Sequence, residues 1–157
     1  MITSVGNKKI KDIQKLKENK NIKKYCRYLV EGKHLVEEAL EARVVEEIVI
    51  SESFNDYNIV DSFTGDLIKV TDSVLKSISD TITSQGIIAL CRIEKKELDI
   101  NNYSKVLILD KIQDPGNLGT IIRTADAFNF DCIILGKVLQ VYMDKKLSVV
   151  HKEATFI

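Results

Sequence analysis

Charge of one sign is what this chain most plainly lacks: its 157 residues carry 23 basic and 23 acidic side chains, a formal net charge of zero. A global electrostatic pull toward nucleic acid is therefore excluded, and any such affinity has to come from local clusters. Cysteine is sparse, with Cys26, Cys91 and Cys132 far apart and no CxxC pair. Neither a disulfide framework nor a zinc site is spelled out, so free thiols and no metal are expected. No segment approaches the roughly 20 apolar residues of a membrane-spanning helix, and no apolar run follows the early lysines as in a secretory signal. A cytoplasmic location without a membrane partner is the expectation. Internal repeats and low-complexity stretches are also missing, and proline occurs once, at Pro115. What is present is 45% hydrophobic and 29% charged residues, the balance of a chain that can bury a core.

The lysines are unevenly spread. Lys8, Lys9, Lys11, Lys15, Lys17, Lys20, Lys23 and Lys24 crowd the N-terminus, where Ile10, Ile13 and Leu16 recur at near-helical spacing. This pattern predicts a short amphipathic basic helix within residues 1–26. RYLVEG then reads as a strand and KHLVEEALEA as a helix with Leu35, Val36, Ala39 and Leu40 on one face. EEIVIS, LIKV and QGIIALCRI are further strands, with Thr71 or Asp72 placed to cap a helix carrying Val74, Leu75 and Ile78. Residues 27–93 thus alternate strands and helices, as in a small α/β domain. The charged, asparagine-bearing run at 94–104 reads as a linker.

Residues 105–135 are the most organised stretch. Val106 to Leu109 and Cys132 to Leu135 are uniformly apolar, which suits buried strands of a parallel sheet covered on both faces. Between them Leu118, Ile121, Ile122, Ala125 and Phe128 fall at i, i+3, i+4, i+7 and i+10, an apolar helical stripe, so the unit reads strand, loop, helix, strand. Ligands of such sheets gather outside the carboxyl ends of the strands, where the loop DKIQDPGNLG must lie. In it Pro115 and Gly116 are expected to make a tight turn, Asn117 to stand at the helix N-cap, and Gly119 to permit close approach. The loop is neither a Walker loop nor a GxGxxG fingerprint. Arg123 can reach back toward the loop and clamp a phosphate; on its residues alone it is equally a surface arginine or a salt-bridge partner of Asp126 or Asp110.

LDKIQDPGNLGTIIRTADAF resembles the first signature motif of the SpoU-type (TrmH-like) RNA ribose methyltransferases of the SPOUT superfamily, through Asp110, Asp114, Pro115, Asn117, Gly119 and the run from Arg123 to Ala127. YLVEGKHLVEEAL and SQGIIAL resemble elements of the substrate-binding domain that precedes the catalytic domain in many members. The resemblance implies an α/β fold with a small N-terminal RNA-binding domain, similar to kink-turn-binding domains, followed by the first βαβ of a knotted, Rossmann-like SPOUT domain. It implies methyl transfer from S-adenosylmethionine to a ribose 2'-hydroxyl of ribosomal or transfer RNA, ribosomal being favoured, by a homodimer. On this view Arg123 engages the target phosphate and helps activate the hydroxyl, and Asn117 lies near the transfer site. Arginine stays protonated, so positioning a phosphate is its more conservative role. Lys8, Lys11, Lys15, Arg27, Lys33 and His34 are the candidates for contact with the RNA backbone, an interaction that weakens in salt. His34 reads equally well as a helix-face residue without a role.

Past Leu135 the resemblance fades, with a divergent tail from about residue 138 in the segment 105–157. The family's second and third motifs, which supply its cofactor loop, are not found, so cofactor-binding residues stay unassigned and a truncated, catalytically incomplete enzyme is expected. The competing expectation is an RNA-binding module without catalysis. With assumed codons, HKEATFI read one nucleotide earlier encodes Q, G, S, Y and I after its first residue, similar to a run in the family. A frameshift near residues 147–150 is the expectation, a natural short protein with a divergent tail is the alternative, and the gene sequence decides between them.

Overall fold

The computed structural model describes residues 1–93, 99–110, 112, 114–135 and 154–156. The chain forms two compact units, Met1–Glu94 and Lys95–Ile157.

In the first unit α1 (Lys8–Lys15) starts at Asn7, whose side chain accepts the Lys9 amide at 2.9 Å and so satisfies one orphan donor of the first turn. A second helix, α2 (Asn19–Tyr25), follows, where a single basic helix was expected. No proline or glycine marks the break. Leu16 is buried, and Lys17 leaves the helical path to donate to the Ser79 carbonyl at 2.8 Å and pair with Asp80 at 3.1 Å. These tertiary ties compete with helix continuation and are invisible in local sequence.

Strands β1 (Arg27–Glu31), β2 (Val45–Ser51), β3 (Asp66–Val70) and β4 (Ile87–Arg92) make one sheet in the order β1-β4-β2-β3, antiparallel except for the β2–β3 pair. Against one face, α1 and α4 (Asp72–Ile78) bury Ile10, Ile13, Val74, Leu75 and Ile78 on Val49, Val70 and Ile88. Each fully buried isoleucine stabilises the fold by about 1.5–3 kcal/mol. α3 (Lys33–Glu41) packs on β1 and β4 and buries Val36 and Ala39. Ile2 adds a bridge to Val70, donating to the Lys69 carbonyl at 2.8 Å. The N-terminal segment is thus part of this unit's core rather than an appended arm. Thr71 is the N-cap of α4, but its hydroxyl meets Ser73 Oγ at 3.1 Å, and the Asp72 amide donates to Glu52 Oε1 at 3.4 Å instead.

Gly32 joins β1 to α3 at φ +99°, a left-handed conformation that L side chains seldom adopt, and an added Cβ would stand 3.0 Å from Gln85 Oε1. The turn therefore needs glycine. Cys26, Cys91 and Cys132 are free thiols, and burial pushes the Cys91 thiol up to about 12, which leaves it unreactive at neutral pH.

In the second unit β5 (Val106–Leu109), α5 (Pro115–Ala127) and β6 (Cys132–Leu135) form the expected strand–helix–strand, with β5 and β6 parallel. A short strand, β7 (Ala154–Phe156), lies parallel to β6 on its far side, so the sheet has three described strands where the sequence indicated two. Two other expectations are corrected. β5 is not covered on both faces among the described residues, since Ile108 is 69% exposed, and Phe128 leaves the helical stripe, 66% exposed at the end of α5. The core here is Leu109, Leu118, Ile122 and Leu135. A single 3-10 turn at Ile100–Asn102 falls in the expected linker, whose residues 94–98 lie outside the described residues. The expected divergent tail and the proposed frameshift site lie outside them too, apart from β7.

Candidate functional site

α5 carries both residues expected at the chemical site, and its start is set by local chemistry. Asp114, not Asn117, is the N-cap: its Oδ2 accepts the Asn117 amide at 2.6 Å. Pro115 and Gly116 do not form a separate turn but open the helix, proline standing where its missing N–H costs nothing. At Gly116 an added Cβ would sit 3.0 Å from Asp114 Oδ2, so glycine leaves room for the capping carboxylate to fold over the first turn. Aspartate followed by proline is itself a helix-start signal, and reading it that way would have moved the cap three residues earlier.

Leu118, Ile122 and Ala125 are buried, which turns Asn117, Thr120, Arg123 and Thr124 outward as one polar strip. Thr120 Oγ1 donates to the Gly116 carbonyl at 3.0 Å and accepts from Arg123 Nη2 at 3.4 Å. Thr124 Oγ1 donates to the Thr120 carbonyl at 2.8 Å. Arg123 thus leans back one turn toward the helix N-terminus, exposed on the same strip as Asn117. A planar cation on an exposed helix face suits a phosphate or another oxyanion. Thr120 is the residue that the sequence reading missed; its signal was the three-residue spacing on either side, Asn117 to Thr120 to Arg123.

The expected RNA-contact residues lie on the first unit in two states. Lys8 and Lys11 are exposed on α1 and make no ion pair among the described residues. The others have acidic partners: Lys15 with Asp12 at 2.7 Å, Arg27 with Glu46 at 2.6 Å, Lys33 with Asp56 at 2.7 Å, and His34 Nε2 with Glu38 at 3.3 Å. Paired cations have part of their field neutralised locally, so Lys8 and Lys11 are the strongest attractors of the set.

Beside His34 opens a cleft of about 290 Å³ between the start of α3 and the segment 79–85, with Glu31, Gly32, Thr81 and Gln85 on its walls. Glu31 Oε1 accepts from Ser79 Oγ at 2.6 Å and Thr81 Oγ1 at 2.7 Å, and Oε2 accepts from the Asp80 amide at 3.0 Å. Burial alone would raise the Glu31 pKa; these donors, with Ser84, outweigh it and hold the carboxyl below the usual 4.5. No group of acidic, histidine or cysteine side chains among the described residues could hold a metal ion, and no described helix is long and apolar enough to cross a membrane.

Comparison with known proteins matches residues 7–89 to the MRM3-like substrate binding domain and residues 104–157 to the SpoU rRNA Methylase family. The chain is 39% identical over 137 residues to the 23S rRNA (guanosine(2553)-2'-O)-methyltransferase RlmP of Bacillus subtilis, covering 86% of this chain and 54% of that protein. It is 28% identical over 144 residues to human mitochondrial rRNA methyltransferase 3, covering 84% of this chain and 34% of that one. Among solved structures, an RNA 2'-O ribose methyltransferase superposes with a TM-score of 0.74 at 27% identity, over 99% of this chain and 65% of the other. The AdoMet-bound rRNA methyltransferase from Sinorhizobium meliloti gives 0.74 at 26% identity, over 99% and 63%. The chain spans about half the length of the first curated relatives it matches.

Proposed function

The chain belongs to the SpoU-type RNA methyltransferases, with an MRM3-like substrate binding domain ahead of its SpoU match, and from that premise we propose that it serves 2'-O-ribose methylation of ribosomal RNA. The first unit docks structured RNA through Lys8 and Lys11, assisted by Lys15, Arg27, Lys33 and His34. The second unit supplies Arg123 and Asn117 at the place of transfer. Ribosomal rather than transfer RNA is favoured because RlmP and the human relative are both named for it. The family resemblance implies a homodimer for the complete enzyme, and the sequence leads us to expect a cytoplasmic location.

The observation that carries this reading is the guanidinium of Arg123, braced by Thr120 on the strip that also holds Asn117. A ribose hydroxyl is a poor acid and a weak nucleophile, so its methylation depends on fixed geometry and on removal of the proton. Arg123 grips the phosphate next to the target ribose with two parallel N–H donors and so fixes the sugar; Asn117 orients the hydroxyl edge through its amide. S-adenosylmethionine would supply the methyl group. The polar groups of α5 lie along an exposed helix face, so they do not by themselves make a pocket for an adenosyl group, and no step is assigned through it.

That open face also favours a second reading, an RNA-binding module without catalysis. Binding of the whole chain to purified large-subunit ribosomal RNA, calorimetry with S-adenosylmethionine and incorporation of labelled methyl into total RNA separate the possibilities. Arg123→Ala is expected to weaken RNA binding about tenfold by removing a charge-assisted bidentate contact, with Arg123→Lys recovering only part. An unchanged affinity in Arg123→Ala rules out the phosphate role. Cofactor heat and methyl incorporation select the enzyme; RNA binding with neither selects the module.

A further inference from the structure

We propose that α2 is a second RNA-docking element of the first unit, on which Tyr25 stacks an unpaired base while Lys20 and Lys24 hold the adjoining phosphates. The inference rests on the RNA-binding reading above and adds to it a site away from Lys33 and His34: the 5 residues of β1, about 17 Å of extended chain, run between the two places.

Packing does not account for α2. None of its 7 residues is fully buried, and an isolated helix shorter than roughly 12–15 residues is marginal in water. Its ends are tied instead. Asn21 Nδ2 donates to the Lys15 carbonyl at 2.9 Å, which holds the first turn to the end of α1. Cys26 closes the last turn in the left-handed region at φ 50°, its amide donating to the Ile22 carbonyl, and its own carbonyl accepts the Ile93 amide at 2.7 Å. Held at both ends, the helix leaves Asn19, Lys20, Lys23, Lys24 and Tyr25 exposed. A strip ordered in this way loses less freedom on binding than a loop would.

Charge and ring together select the occupant. α2 carries no acidic residue, and Lys20, Lys23 and Lys24 fall at i, i+3 and i+4, on one face of the helix. Lys20 meets Glu18, just ahead of the helix, at 2.8 Å, an exposed pair that water and salt screen. Lys24 makes no ion pair among the described residues, and its Nζ lies 5.3 Å from the centre of the Tyr25 ring. Lysines in a last turn also complement the helix dipole. That accounts for Lys23 and Lys24 but not for a tyrosine left 44% exposed beside them. An aromatic face flanked by cations suits a single strand, with a base on the ring and phosphates on the ammonium groups. In a duplex the bases stack on one another and are closed to the ring, and an acidic peptide would engage the lysines without needing it.

The test uses the whole chain with three fluorescein-labelled probes, an oligouridylate, an RNA duplex of equal length and an oligoglutamate. Tyr25→Ala is expected to bind the oligouridylate about tenfold more weakly with unchanged affinity for the duplex, while Tyr25→Phe, which keeps the ring, binds both as the parent does. Lys20→Gln with Lys24→Gln is expected to lower the slope of log affinity for the oligouridylate against log salt by about 0.7 for each lysine; an unchanged slope removes the two lysines from the site and contradicts the proposal. The chain has no tryptophan, so Tyr25→Trp introduces a single reporter and keeps an aromatic ring at the position. Its emission is expected to be quenched saturably by an unlabelled oligouridylate and not by the duplex. Unchanged oligouridylate binding by Tyr25→Ala, an equal loss for both RNA probes, or absence of quenching overturns the stacking platform and leaves the RNA reading standing. Oligoglutamate binding that competes with the oligouridylate and falls equally in Tyr25→Ala makes α2 a protein-docking face and overturns the platform too. Failure of the unaltered chain to bind either RNA overturns the RNA reading itself.

Discussion

The two units use similar elements to different ends. In the first, helices bury a four-stranded sheet so completely that Ile10, Val36, Ile48, Val70, Val74, Ile87 and Ala89 retain no exposed surface. In the second, four described residues form the core around α5, and Ile108 and Phe128 remain largely exposed. The first unit is a scaffold with its polar features on the rim. The second places its polar strip directly on the helix that also fills its described core, so one short sequence has to cap, pack and present chemistry at once.

This contrast is open to breakage at several points. The largest effect is expected from Ile13→Ala, which empties a fully packed site where α1 meets the sheet and should destabilise the first unit by about 2–5 kcal/mol. Chemical denaturation followed by circular dichroism measures it, and a loss under about 1 kcal/mol would show that α1 is dispensable to this core. Asp114→Ala is expected to cost about 0.5–2 kcal/mol through loss of the α5 cap. Amide exchange should show the change in the second unit alone; altered protection in β2 or β4 would mean that the two cores are coupled. In the unaltered protein the same measurement is expected to find β2 and β4 exchanging more slowly than β5 and β6, and equal protection would erase the contrast.

Smaller effects sharpen it. Lys8→Gln and Lys11→Gln should each lower the slope of log affinity for RNA against log salt by about 1; an unchanged slope removes α1 from the RNA surface. The smallest effect concerns Glu31. Its pKa is lower in the folded chain than in the unfolded one, so its contribution to stability is fully present above the unfolded value near 4.5 and fades as pH falls through the lowered folded value. Glu31→Gln should flatten the acid limb of the stability curve in that window, and a steeper limb would contradict the assignment of its donors.

The strands and the longer helices were legible because burial imposes a period on them. RYLVE, VEEIVIS and IIALCR alternate or run apolar as sheet strands do, and Leu118, Ile122 and Ala125 mark the inner face of α5. Less legible was whatever depends on a partner distant in sequence. The break between α1 and α2 follows from Lys17 reaching Ser79 and Asp80. The cleft needs Glu31 and Gln85, more than 50 positions apart, to fix the two ends of one loop. The cap of α5 was misplaced for another reason: the aspartate before proline was present but was read as a turn.

Local pattern thus determined which stretches are strands and helices, where the basic residues concentrate, and which short motif carries the family likeness, since each of these depends on neighbours in the chain. Tertiary structure alone decided that Arg27 and Lys33 are paired with the distant Glu46 and Asp56, and that the segment after α4 walls a cleft. Those outcomes depend on distances between side chains that only packing brings together, and hydrogen bonds and ion pairs act over a few ångströms whatever the separation in sequence.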